Sequence, residues 1–94
     1  MIGNFFSREE FPTLKNNPNL VYLDNAATTQ THRWVVDRMN TYYNFNRATS
    51  HRGDYPLSHL VTDDYVTARS QVASLINVEA DKVMFTSGGT QGLN

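Results

Sequence analysis

No cysteine occurs among the 94 residues of this chain. Disulfides, thiolate metal sites and a thiol nucleophile are thereby excluded within it. No apolar run approaches the ~20 residues that span a bilayer, and the first residues lack the pattern of a secretory signal. Nor is there an excess of one charge, since eight Lys and Arg against nine Asp and Glu leave a net −1. That removes the electrostatic footprint of a nucleic-acid binder or of a partner for anionic membranes. Repeats and low-complexity tracts are absent, and a cytoplasmic protein is the default expectation. What is present, 39% hydrophobic and 12% aromatic residues, is the composition of a folded domain rather than a disordered tail.

Turn signals divide the chain into a few elements. Phe11-Pro12 restricts the backbone to an extended conformation, and Asn16-Asn17-Pro18-Asn19 reads as a loop. Leu20-Val21-Tyr22-Leu23 is a strand candidate ended by Asp24-Asn25, and the small residues Ala26-Ala27-Thr28-Thr29 follow. A helix is expected from about Thr31, which supplies the N-cap oxygen, with Trp34, Val35, Met39 and Tyr42 on one face. It fades at Asn44-Phe45-Asn46-Arg47. A second, longer helix carries Leu57, Leu60, Val61, Tyr65, Ala68, Val72, Leu75 and Ile76 at spacings of three and four, the pattern of a core face. Ser58 is its expected N-cap and Asn77 its stop. His32 and His59 fall away from the apolar stripes and read as solvated. No His shares ligand spacing with a carboxylate, so no metal site is assigned.

The apolar run Val83-Met84-Phe85 reads as a buried strand, and Ser87-Gly88-Gly89-Thr90-Gln91-Gly92-Leu93-Asn94 follows it. A strand, a glycine-rich turn and a helix start together aim free backbone N–H groups and the positive end of a helix dipole at one place. A phosphate fits such a place. The turn is neither a P-loop, because no Lys-Ser/Thr pair follows, nor the G-x-G-x-x-G of dinucleotide folds. The order of strand, helix, loop, helix, strand and turn suits the opening of an α/β domain. Two strands alone leave long edges open and two apolar helix faces partly uncovered, which argues for a fragment or an obligate assembly.

Three motifs in register carry a resemblance. Tyr22-Leu23-Asp24-Asn25-Ala26-Ala27-Thr28-Thr29, then His51-Arg52-Gly53 with Leu57-Ser58, then Val83 through Asn94 resemble the cysteine desulfurases. These are class V aminotransferase relatives among the fold-type-I pyridoxal-phosphate enzymes, and the likeness is to their sulfur-mobilising (SufS/Csd-like) group. It runs from Phe11-Pro12 onward and corresponds to about the first quarter of a full-length member. The resemblance implies an α/β fold, incomplete here, with residues 1–30 as an N-terminal extended segment containing a short strand. Residues 31–94 would then be the helix-loop-helix-strand opening of the large cofactor-binding domain.

It also implies roles. Gly89 and Thr90 match the positions that hold the phosphate of pyridoxal phosphate, Gly89 standing where many members have Thr. Ala26 and Ala27 match a segment that passes close to the substrate, and His51 a residue beside the active-site mouth and dimer contact. The family's cofactor-bearing Lys, its acid at the pyridine nitrogen, its stacking ring and its Cys nucleophile all lie beyond the position matching Asn94. Lys15 and Lys82 match none of them, so no catalytic residue is assigned. The implied parent is a homodimer that converts L-cysteine to L-alanine and passes sulfur, as a persulfide, to an acceptor protein for iron–sulfur cluster assembly. The chain alone is expected to be inactive. A non-catalytic interaction or dimerisation module, using Leu57–Ile76, is the alternative from another class. Within the family, an aminotransferase or selenocysteine lyase is the other.

Overall fold

The computed structural model describes residues 7–94. Two compact units divide the chain, Met1–Phe45 and Asn46–Asn94.

In the first unit a 3₁₀ turn at Arg8–Glu10 opens on a reciprocal bond, with the Ser7 N–H donating to Glu10 Oε2 at 3.1 Å. Phe11 is extended, as the following Pro dictates, and Pro12 occupies the first position of helix α1 (Pro12–Asn16), where its missing N–H costs nothing. Arg8 then reaches over the next turn, donating from Nη2 to the carbonyls of Asn17 and Leu20 at 3.0 and 2.6 Å.

Helix α2 (Arg33–Thr41) starts one residue later than the expected cap implies and takes a different cap. His32, not Thr31, supplies it, with Nδ1 accepting the Trp34 N–H at 3.0 Å. A ring nitrogen serves because Nδ1 reaches the same orphan N–H that a Ser or Asp oxygen would satisfy. The His32 side chain is only 12% exposed, 3.5 Å from Glu10 and edge-on to the rings of Phe11 and Trp34. The expectation of a solvated His32 is therefore corrected: capping turns the ring inward. The helix does not fade at Asn44 either, but widens into a π-helical turn over Tyr42–Asn46.

The second unit is organised on helix α3 (Pro56–Leu75). Its N-cap is the extended Tyr55, with Pro56 at the first helical position. Ser58 sits too far inside to cap and is instead buried, at 1% exposure. The C-terminus is a Schellman motif. Asn77 adopts φ 59°, the Asn77 N–H donates to Ser74 O at 3.3 Å, and the Val78 N–H donates to Ala73 O at 2.9 Å. Asn77 thus ends the helix as expected, because asparagine tolerates the left-handed region better than a β-carbon-crowded residue does. A 3₁₀ turn at Ala80–Lys82 and a short helix α4 (Gly89–Leu93) follow.

The described residues contain no strand, so the expected α/β architecture is not formed among them. Segments 20–23 and 83–86 lack a ladder partner there, and a strand exists only through its ladder. Met84, read as part of a buried strand, is 84% exposed. The apolar stripe of α3 is likewise no core face here. Leu60, Val72 and Ile76 are exposed and Leu75 is 83% exposed, while Ser58 and Ala73 alone are buried among the described residues. Trp34, Val35 and Met39 on α2 are also uncovered. No helix among the described residues is long and apolar enough to cross a membrane.

The Schellman cap carries a test. Asn77→Ala forces a β-branch-free but still L-handed residue into φ 59° without the asparagine's local bonding, at a cost of about 1 kcal/mol. Asn77→Gly is expected to be neutral or stabilising. Helix content followed by circular dichroism during thermal unfolding of the two variants checks the order.

Candidate functional site

The His51-Arg52-Gly53 motif is a tight loop laid on α3. His51 takes φ 67°, and its N–H donates to Thr62 Oγ1 at 2.8 Å. The Arg52 N–H donates to Ser50 O at 2.9 Å, and the buried Ser58 hydroxyl donates to Thr49 O. Gly53 passes so close to the helix that a β-carbon there would lie 2.3 Å from Ser58 Oγ and 2.7 Å from the Tyr55 ring. Glycine is required at this position by space. The exposed His51 ring packs edge-on against Tyr65 with centroids 5.4 Å apart.

The same helix holds the segment leading to the glycine-rich turn. Arg69 Nε donates to Ala80 O at 2.9 Å, and the Tyr65 ring meets Phe85 edge-on at 5.5 Å. The turn itself is braced from within. Gln91 folds back so that its Oε1 accepts both the Ser87 N–H, at 2.6 Å, and the Ser87 hydroxyl, at 2.8 Å. The Thr86 hydroxyl donates to Gly88 O at 3.1 Å, and the same carbonyl accepts the Gly92 N–H at 3.0 Å. Among the described residues, no protein acceptor takes the N–H groups of Gly88, Gly89 or Thr90, and the Thr90 hydroxyl has no partner. The space around Gly88 and Gly89 is open, with no atom within 4 Å of a β-carbon built on either. Three consecutive N–H donors and a hydroxyl are thus left without a protein acceptor among the described residues, an arrangement that suits an oxyanion.

Ala26 and Ala27 lie in the first unit, in a turn knotted by its neighbours. Asp24 O accepts the N–H groups of Ala27 and Thr28 at 3.1 and 3.0 Å. The Tyr22 hydroxyl donates to Thr28 O, Thr29 Oγ1 donates to Asn25 O at 2.9 Å, and the Gln30 N–H donates to Asn25 Oδ1 at 3.2 Å. Asp24 acts through its carbonyl, as a turn former and not as an acid. A shallow cleft lined by Arg8, Phe11, Tyr22, Asn25 and Gln30 adjoins it. The two alanines are exposed and small, so the backbone there is open to close approach.

Tyr65, Thr62, Arg69 and Gln91 went unread as site-building residues. The signals were present: 58, 62, 65, 69 and 73 share one helical face, and Ser87 and Gln91 stand one helical turn apart. On α3 the apolar stripe, which includes Tyr65 itself, is the stronger pattern and hides the polar members beside it.

Residues 21–94 match the family model "Aminotransferase class-V". The chain belongs to that family. Within it, the similar proteins are cysteine desulfurases. The chain is 42% identical over 88 residues to the cysteine desulfurase SufS of Plasmodium falciparum, covering 93% of this chain and 16% of that protein. It is 41% identical over 91 residues to a probable cysteine desulfurase of Vibrio cholerae, covering 93% of this chain and 22% of the other. The apo structure of a cysteine desulfurase from Thermococcus onnurineus superposes with a TM-score of 0.82 at 36% identity, over 92% of this chain and 21% of that one. The chain thus spans about a fifth of the length of its relatives.

Gly53→Ala tests the packing of the His-Arg-Gly loop on α3. The forced shift of Ser58 or Tyr55 is expected to cost about 1–3 kcal/mol. Faster amide exchange at His51 and along the first turns of α3 is the measurement. Unchanged exchange would show that the loop yields freely.

Proposed function

We propose that this chain forms the N-terminal part of a pyridoxal-phosphate-dependent cysteine desulfurase. Residues 1–30 are its N-terminal segment and residues 31–94 the opening of its cofactor-binding domain. Gly89 and Thr90 hold the cofactor's phosphate, and Ala26, Ala27 and His51 lie on the substrate side. What carries the reading is the coincidence of two independent facts. The chain matches cysteine desulfurases over nearly its whole length, and the N–H groups of Gly88, Gly89 and Thr90 have no protein acceptor among the described residues.

The donor set fits a phosphate dianion. Backbone N–H groups cannot lose their protons, and bonds to a charged oxygen are roughly twice as strong as neutral ones. The Thr90 hydroxyl adds a further donor. Gln91 contributes indirectly: by occupying the Ser87 N–H and hydroxyl it braces the turn that carries the next three N–H groups. The bound cofactor supplies the electron sink for chemistry at the amino acid's Cα. This chain's own residues grip and orient it, and the small side chains at Ala26 and Ala27 let a bound amino acid approach the backbone. The nucleophilic Cys and the cofactor-bearing Lys are supplied from outside these 94 residues, since there is no Cys and neither Lys15 nor Lys82 stands at the family position. The parent reaction converts L-cysteine to L-alanine, passing sulfur as a persulfide to an acceptor protein for iron–sulfur cluster assembly, in a cytoplasmic homodimer.

A second reading is favoured by one observation. The stripe Leu60, Val72, Leu75 and Ile76 is exposed, as a non-catalytic binding module would present it. Sedimentation separates the two: a monodisperse species with cooperative melting supports the module, and aggregation or a non-cooperative melt supports the desulfurase part.

Two measurements test the primary reading. The chain alone is expected to release no sulfide from L-cysteine, and measurable turnover would overturn the division of labour. In the complete enzyme, Thr90→Ala is expected to weaken cofactor binding by on the order of 1–3 kcal/mol, the cost of a charged oxygen left without its donor. Unchanged affinity would make the turn merely structural.

A further inference from the structure

Phe85 has an unusual dependence on one neighbour. It stands directly before Thr86 and Ser87, the residues whose hydroxyls brace the glycine-rich turn. The last hydrogen-bonded anchor before it is the Ala80 carbonyl held by Arg69, five residues upstream. Val83 closes a local turn onto Ala80, and among the described residues Met84 and Phe85 make no hydrogen bond. The Tyr65 ring on α3 meets Phe85 edge-on and so gives this stretch a side-chain contact with the helix. The same ring also meets His51 edge-on. The two contacts are similar in geometry, with centroids 5.4 and 5.5 Å apart and planes crossing at 85° and 83°. Such edge-to-face pairs are directional as well as apolar, because the positive ring edge seeks the negative face.

We propose that Tyr65 is a positioning residue, its ring packed against both His51 and Phe85 so that the His-Arg-Gly loop and the glycine-rich turn are set by one side chain. Tyr65 touches no ligand-facing donor itself. It acts through Phe85 on where the Gly88–Thr90 amides lie, and through the His51 ring on the loop bonded at Thr62. The phenol hydroxyl has no partner in this role, so the ring and not the hydroxyl carries the effect. That the positioned turn grips a phosphate rests on the function proposed above, whereas the mechanical link between loop and turn does not.

The test uses nuclear magnetic resonance on the complete enzyme, without added cofactor, and on three variants. Tyr65→Leu is expected to move the His51 ring protons and the amide signals of Ser87 through Thr90, with helix content by circular dichroism unchanged. Tyr65→Phe, which keeps the ring, is expected to leave both sets near the parent positions. Titration with inorganic phosphate is expected to move the Gly88–Thr90 amides in the parent enzyme, with a dissociation constant about two- to tenfold higher in Tyr65→Leu, the worth of one aromatic pair. Shifts in Tyr65→Leu that stop at His51 and spare residues 87–90 would overturn the link. So would a Tyr65→Phe that behaves as the Leu variant does. Should Tyr65→Leu lose helix, Phe85→Leu replaces it: displacement of Tyr65 must then register on the His51 ring, and a silent His51 overturns the proposal. A parent enzyme that ignores phosphate refutes the anion reading instead, and the phosphate-free shifts still decide the link.

Discussion

One face of a single helix holds the second unit together. Ser58, Thr62, Tyr65, Arg69 and Ala73 recur on α3 at spacings of three and four, so they lie in a row. Between them they take the segments on either side of the helix in sequence: Ser58 the Thr49 carbonyl, Thr62 the His51 amide, Tyr65 the rings of His51 and Phe85, Arg69 the Ala80 carbonyl, and the Ala73 carbonyl the Val78 amide. The two loops that carry the candidate site residues are hung from this row. Without it, neither the His-Arg-Gly loop nor the approach to the glycine-rich turn has a defined path.

The contacts in the row are directional ones. A hydrogen bond contributes roughly 0.5–1.5 kcal/mol net, because the same groups bond to water when unfolded. An aromatic pair adds a similar amount. Such terms specify geometry well and stabilise modestly, since the large favourable term in folding is apolar burial. Here apolar burial is small. The side chains that would supply it, Trp34 and Met39 on α2 and Leu75 on α3 among them, face outward. The chain matches about a fifth of the length of the cysteine desulfurases it is similar to. The stripes have the spacing of core faces and nothing among the described residues covers them, which is the physical counterpart of that partial match.

The candidate anion turn shows how local sequence and tertiary setting divide the work. Glycines at 88 and 89 stand where the space around the backbone is open. Gln91 locks Ser87 from within the same eight residues. Those features are encoded in the turn. Its direction is not, because an isolated five-residue helix has little orientation of its own and less dipole. Direction comes from Phe85 against Tyr65.

Much of this was legible in the residues themselves. The helix over 56–75, its stop at Asn77, the extended Phe11, the turn-forming Asp24 and the glycine-rich turn follow from proline geometry, apolar period and the left-handed tolerance of asparagine, all of them local effects. The family was legible too, in three motifs in register. Other features depend on partners distant in sequence, and there the local reading went astray. Segments 20–23 and 83–86 have strand composition but no ladder partner, and His32 was read as solvated until Phe11 and Glu10 closed around it. Ser58 looked like a cap and proved to be a buried tether. Apolar spacing pointed to one face of α3 and the bonds chose the face beside it. By itself, the sequence determined where the long helix α3 runs and where the backbone turns at Asn77 and at Asp24, since those choices cost a residue only its own torsions. Which helix face does the holding was decided by tertiary structure alone, because that depends on which carbonyls and rings the rest of the chain brings within reach.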